Sequence, residues 1–87
     1  MPESRAKFPI GNIASVRSAA DVGRIVRAQR QELRLRQIDL AGIGNTGNRL
    51  IVDIEKGKPT VQLQKLLDVL DLLGLELVVR QKTSRAP

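Results

Sequence analysis

The side chains best suited to chemistry in this 87-residue sequence lie between positions 27 and 58. Gly47, Asn48 and Arg49 stand together at the head of a helix-like run. There an amide can pair in bidentate fashion with adenine, a guanidinium can pair with guanine O6 and N7, and a glycine lets the backbone approach closely. Gln37 opens the preceding short run, and Arg36, Lys56 and Lys58 flank the pair of runs with charge suited to phosphate. Arg27 and Arg34 lie upstream, where they either reach phosphate or line a solvated helix face. Val52 and Asp53 are less promising. A phosphate would repel Asp53, which therefore faces solvent or pairs with a neighbouring base-contacting arginine.

The residue types that are missing narrow the chemistry further. Histidine, cysteine, tryptophan and tyrosine are absent, and Phe8 is the one aromatic. The commonest general base, thiolate nucleophiles, cysteine-held metals and aromatic stacking platforms are therefore unavailable to the known sequence. The inventory points away from an enzyme, and no cofactor or metal is expected. No apolar run nears the ~20 residues that span a bilayer, and no signal-peptide core follows Met1, so no membrane partner and a cytoplasmic location are expected. Fifteen Lys and Arg against nine Asp and Glu give a net charge of +6. Residues 1–58 hold 11 basic and 6 acidic side chains, whereas residues 59–87 hold 4 and 3. Nucleic acid is the leading partner for such a distribution.

Positioning these groups falls to a single small domain. Residues 1–17 read as a flexible basic arm, in which Ile13 and Val16 could join a short extended segment. A first helix is predicted from Ser18, an N-cap with Asp21 in the first turn, through Val22, Ile25, Val26, Gln29 and Leu33 to an end near Arg34. Residues 37–44 form a short second run, and Asn45-Thr46-Gly47 signals a turn. A further helix is predicted over 48–55, with Leu50, Ile51 and Ile54 apolar, closed by Gly57 and stopped by Pro59. Thr60 is expected to cap the longest helix, ending at Gly74, with Leu63, Leu66, Leu67, Leu70 and Leu73 on its core face. Val69 and Leu72 lie off that face. Residues 75–80, LELVVR, read as a strand, and residues 81–87 as a disordered tail. A lone strand needs a partner for its N–H and C=O groups. A second copy of the chain, paired antiparallel across a two-fold axis, supplies one economically. The expected dimer interface is Val69, Leu72, Leu75, Leu77, Val78 and Val79.

The spacing from Gln37 to Ile54 is that of a helix-turn-helix: small Ala41 four residues on, turn-forming Asn45 eight on, and inward Ile51 and Ile54 fourteen and seventeen on. With Leu40, Glu55, Gly57 and Lys58, these positions resemble the XRE, lambda-repressor-like family of helix-turn-helix domains. Asn45 stands where glycine is usual, and Thr46 where a small apolar residue is usual. Family members also carry an arginine seven residues before the glutamine, here Arg30, which pairs with the glutamate closing the recognition helix, here Glu55. Residues 47–77 look most like HipB-type antitoxins, through the Gly-Lys-Pro-Thr turn and the strand after the last helix.

The resemblance covers about residues 18–80. It implies an all-α domain of four to five helices over 18–74, with one short C-terminal β-strand, 75–80, pairing across a homodimer. It also implies a bacterial, nucleoid-associated transcriptional repressor on a palindromic operator. Gln37 would contact a phosphate or base edge, and Arg36, Lys56 and Lys58 the DNA backbone. A HipA-like serine/threonine kinase toxin is the implied second partner; the alternative is a stand-alone phage-type or HigA-like regulator. The tail TSRAP offers no aromatic anchor for a toxin.

Overall fold

The computed structural model describes residues 13–82, which form four helices: α1 (Ala19–Glu32), α2 (Gln37–Ile43), α3 (Asn48–Lys56) and α4 (Leu63–Leu72). Residues 1–12 of the expected arm and 83–87 of the expected tail lie outside the described residues. The start of α1 follows from its cap. The Ser18 hydroxyl accepts from the Asp21 N–H at 3.2 Å, and the Asp21 carboxylate accepts from the N–H groups of Arg17 and Ser18 at 2.8 and 3.2 Å. Together these satisfy donors that a helix start leaves orphaned. The Arg17 N–H, with further help from Arg24 and Ser18, holds the Asp21 carboxyl below its ordinary pKa of 3.8.

All four helices stop in the same way. A residue in the left-handed region follows the last turn: Arg34 (φ 60°), Asn45 (φ 53°), Gly57 (φ 82°) and Gly74 (φ 77°). The next N–H then reaches back five residues: Leu35 to the Arg30 carbonyl (3.1 Å), Thr46 to Ala41 (2.9 Å), Lys58 to Asp53 (3.0 Å) and Leu75 to Leu70 (2.8 Å). This Schellman closure satisfies carbonyls that a helix end otherwise leaves bare. It ends α1 at Glu32, two residues before the predicted Arg34, because Arg34 is itself the left-handed stop. Asn tolerates that backbone through its short polar side chain; Arg has no such excuse and is strained there.

The core joins all four helices. Val26 of α1, Leu40 and Ala41 of α2, Ile51 and Ile54 of α3, and Val69, Leu70 and Leu73 from α4 and its end form one buried cluster. Val22, Leu50, Val61, Leu66 and Leu75 pack around it. The α1–α3 crossing depends on Gly23, where a Cβ would lie 2.6 Å from the Ile54 carbonyl oxygen and 2.7 Å from that of Glu55. Neither backbone oxygen can move away cheaply, so the two helices meet only because position 23 has no side chain.

The C-terminal part departs from expectation in three respects. First, α4 begins at Leu63 after an extended Gln62, not at Thr60, and its 10 residues are fewer than the 14 of α1. Val61 folds onto the core ahead of the helix, which delays its start. Second, the buried face is rotated. Val69 is 2% exposed and belongs to the protomer's own core, so it is not available as a dimer-interface residue, while Leu63 of the predicted core face is 62% exposed. Leucines at 63, 66, 67, 70 and 73 and the pair Val69 and Leu72 define two overlapping stripes, and burial in the core shared by all four helices selects between them. Third, no strand element occurs among the described residues, and 75–82 run without regular structure. An alternating segment without a neighbouring strand has no ladder to join and stays irregular. Leu75 is half-buried against the core, Leu72 and Leu77 are partly exposed, and Val78 and Val79 are 69% and 90% exposed.

Candidate nucleic-acid interface

The junction of α1, α2 and α3 is held by a buried ion pair. Arg30 Nε and Nη2 donate to the two carboxylate oxygens of Glu55 at 2.6 and 3.0 Å, and Arg30 Nη1 donates to the Leu35 carbonyl at 2.7 Å. The two side chains are 10% and 5% exposed. The hydrogen bonds to Glu55 raise the Arg30 guanidinium above its ordinary value. Bidentate geometry and the extra carbonyl satisfy most of the fork, as a desolvated arginine requires. One carboxylate oxygen also accepts from Gln37 Nε2 at 3.1 Å. Because a carboxylate only accepts, the Gln37 amide nitrogen must face it, which fixes the flip of that side chain. The first residue of α2 is thereby locked to the end of α3.

Beside this cluster lies an open groove of about 540 Å³. Arg27 and Arg30 wall it from α1, Arg36 and Gln37 from the head of α2, and Val52, Glu55 and Lys56 from α3. Arg27 thus joins the groove, whereas Arg34 is not among its lining residues. Arg36 donates to Asp39 from Nε at 3.1 Å and Nη2 at 2.9 Å, and Asp39 also accepts the Arg36 N–H at 2.8 Å. This pairing lowers the Asp39 carboxyl and raises the Arg36 guanidinium. It also tempers the charge Arg36 offers to an anion. Arg27 and Lys56 have no carboxylate partner among the described residues, and Glu55 is committed to Arg30 and Gln37. The groove is consequently a seat for negative charge.

At the other end of α3, Gly47 is the N-cap and makes no side-chain cap bond. Asn48 and Arg49 follow it, both exposed. Arg49 is 81% exposed, with Nε 3.3 Å from one oxygen of Asp53; the other oxygen lies 3.5 Å from Lys58 Nζ. The structure therefore places Gly47, Asn48 and Arg49 at one end of α3 and Lys56 and Lys58 at the other, with Gln37 and Arg36 at the groove between α2 and α3. Gly23 escaped the sequence reading, although a glycine inside a helical run is a signal of close approach. The spacing put Gln29 on the stripe of α1 but not its bond: Nε2 donates to the Leu73 carbonyl at 3.0 Å, tying α1 to the end of α4, and no local pattern announces such a tie.

No protein-family model matches the chain. An uncharacterised HTH-type transcriptional regulator, y4mF of Sinorhizobium fredii (strain NBRC 101917 / NGR234), is 48% identical over 62 residues, covering 71% of this chain and 82% of that protein. Among solved structures, a HipB serine-to-alanine variant in complex with an O2 20mer superposes with a TM-score of 0.75 at 17% identity, covering 82% of this chain and 99% of that one. A HipB–O4 20mer complex gives 0.74 at 17% identity, over 82% and 100%. With a helix-turn-helix held by the Arg30–Glu55 pair, a regulator as a near relative and a HipB-like fold, the chain belongs to the XRE-like helix-turn-helix family of transcriptional regulators.

Proposed function

We propose that the protein is a sequence-specific, double-stranded DNA-binding repressor that acts as a homodimer on a palindromic operator. The observation that carries this reading is the arrangement of α3. Asn48 and Arg49 stand exposed at its first turn, while the basic groove and Lys56 and Lys58 flank its far end. A helix entering the major groove by its N-terminal end reads base edges there and meets phosphates on either side. Asn48 and Arg49, with Gly47 allowing close approach, read bases; Gln37 contacts a base edge or the phosphate beside it. Arg36, Lys56 and Lys58, together with Arg27, hold the backbone. The extended apolar segment 75–80 pairs with its copy in a second protomer, setting two α3 helices about one helical turn, ~34 Å, apart.

Binding of the chain to duplexes from its own promoter, measured at several salt concentrations, tests the reading. Arg49→Ala should lower affinity for the preferred duplex by about 1–3 kcal/mol and leave binding to unrelated duplexes almost unchanged. An Arg49→Ala protein that still discriminated like wild type would refute the recognition-helix assignment.

The likeness to HipB supports a further role as an antitoxin that binds a HipA-like kinase and represses its own operon from the cytoplasm. Co-purification of the tagged chain with a kinase encoded beside its gene checks this. A gene without such a neighbour assigns it instead to the stand-alone regulators.

A further inference from the structure

Asp53 sets a negative charge on the very face of α3 that carries Arg49, where attraction for phosphate argues against one. Its side chain is only 16% exposed, and its two oxygens serve different cations: Oδ1 faces Arg49 Nε at 3.3 Å and Oδ2 faces Lys58 Nζ at 3.5 Å. We propose that Asp53 is a positioning residue for specificity, presenting Arg49 end-on to a guanine edge and linking that base reader to the backbone contact at Lys58. The proposal rests on α3 being the recognition helix.

The chemistry follows from the guanidinium fork. Arginine has five N–H donors in one plane, and Asp53 forms its ion pair on the Nε side of the guanidinium, with Oδ1 3.3 Å from Nε. The two Nη groups remain for the end-on pairing that matches O6 and N7 of guanine. Without Asp53, a side chain as exposed as Arg49 is drawn to the nearest phosphate, which every sequence offers equally. The carboxylate also reduces the charge of the Arg49–Asp53–Lys58 group from +2 to +1, by formal count. Binding to arbitrary DNA is weakened, while pairing to the correct base is retained. Asp53 thus trades affinity for discrimination.

The test uses the full chain and a library of duplexes with a randomised central region, from which wild type and variants select. Wild type should enrich a palindromic motif with a guanine at the step that Arg49→Ala ceases to read. Asp53→Asn, which keeps the shape and removes the charge, should reduce that guanine preference at least about fivefold and leave the other positions as they were. It should also bind unselected duplexes several-fold more tightly, with a steeper salt dependence, as one more cation becomes free for phosphate. Lys58→Met should weaken binding evenly across sequences. Asp53→Ser provides a second variant should the asparagine protein fold poorly, and thermal unfolding verifies both. An undiminished guanine preference in the Asp53 variants, alongside its loss in Arg49→Ala, overturns the proposal. An undiminished preference in Arg49→Ala overturns the base-reading role of Arg49 itself.

Discussion

Where α1 crosses α3, the buried ion pair is satisfied inside the same chain: Gly23 admits the backbone of α3, Arg30 meets Glu55, and Gln37 closes the cluster. Beyond Gly74 the opposite holds, for Leu77, Val78 and Val79 offer apolar side chains to solvent from a segment without ladder hydrogen bonds. The contrast separates two jobs. In the proposed DNA-binding role, the first region would hold base-reading and phosphate-holding groups in register with or without DNA, and directional polar contacts pre-organise it for that. In the proposed dimer, the second would be buried against its copy, and non-directional burial suits a partner that arrives later.

The largest expected effect breaks the first region. Arg30→Met leaves a carboxylate in a site where its side chain is 5% exposed, and unfolding by urea should show a loss of about 3–5 kcal/mol. Such a protein should keep its dimer contacts at concentrations where it remains folded. The second effect is confined to the other region. The double change Val78→Asp with Val79→Asp should weaken self-association by about 100-fold or more in sedimentation equilibrium, while the stability of each protomer moves by no more than ~0.5 kcal/mol. A protomer that unfolded with the dimer would erase the division of labour. The smallest effect sharpens the comparison from within the first region. Arg34→Gly, at φ 60°, should stabilise the chain by about 0.5–1 kcal/mol, since the relief of left-handed strain exceeds the added freedom of the unfolded glycine.

Local features were legible in the sequence. The Ser18 cap, the Asn45 turn and the Gly57 and Gly74 stops each involve residues within one turn of one another, and short-range chemistry determines them. The Arg30–Glu55 contact spans 25 positions and became legible only through family resemblance, because no spacing rule covers that distance. The start of α4 and the burial of Val69 were misjudged for a related reason. A leucine-rich helix carries two plausible stripes, and the choice between them is made by the shared core and the residues packed on it, Val61 among them, not by the helix itself. Arg34 illustrates the remaining class: helix ends are read from glycine or asparagine, and here an arginine takes the left-handed place.

The hydrogen bond from Gln29 to the last carbonyl region of α4 has a consequence at a much larger scale. It clamps Leu73 immediately before the chain turns at Gly74, and so fixes the heading on which residues 75–82 leave the domain. In a dimer joined through that segment, the exit heading acts as the elbow of a pair of callipers. A small change of angle at Leu73 would be magnified at the two tips, where Asn48 and Arg49 sit. In that proposed dimer, the spacing of the two α3 helices on DNA would depend on a single side-chain amide of α1, that of Gln29.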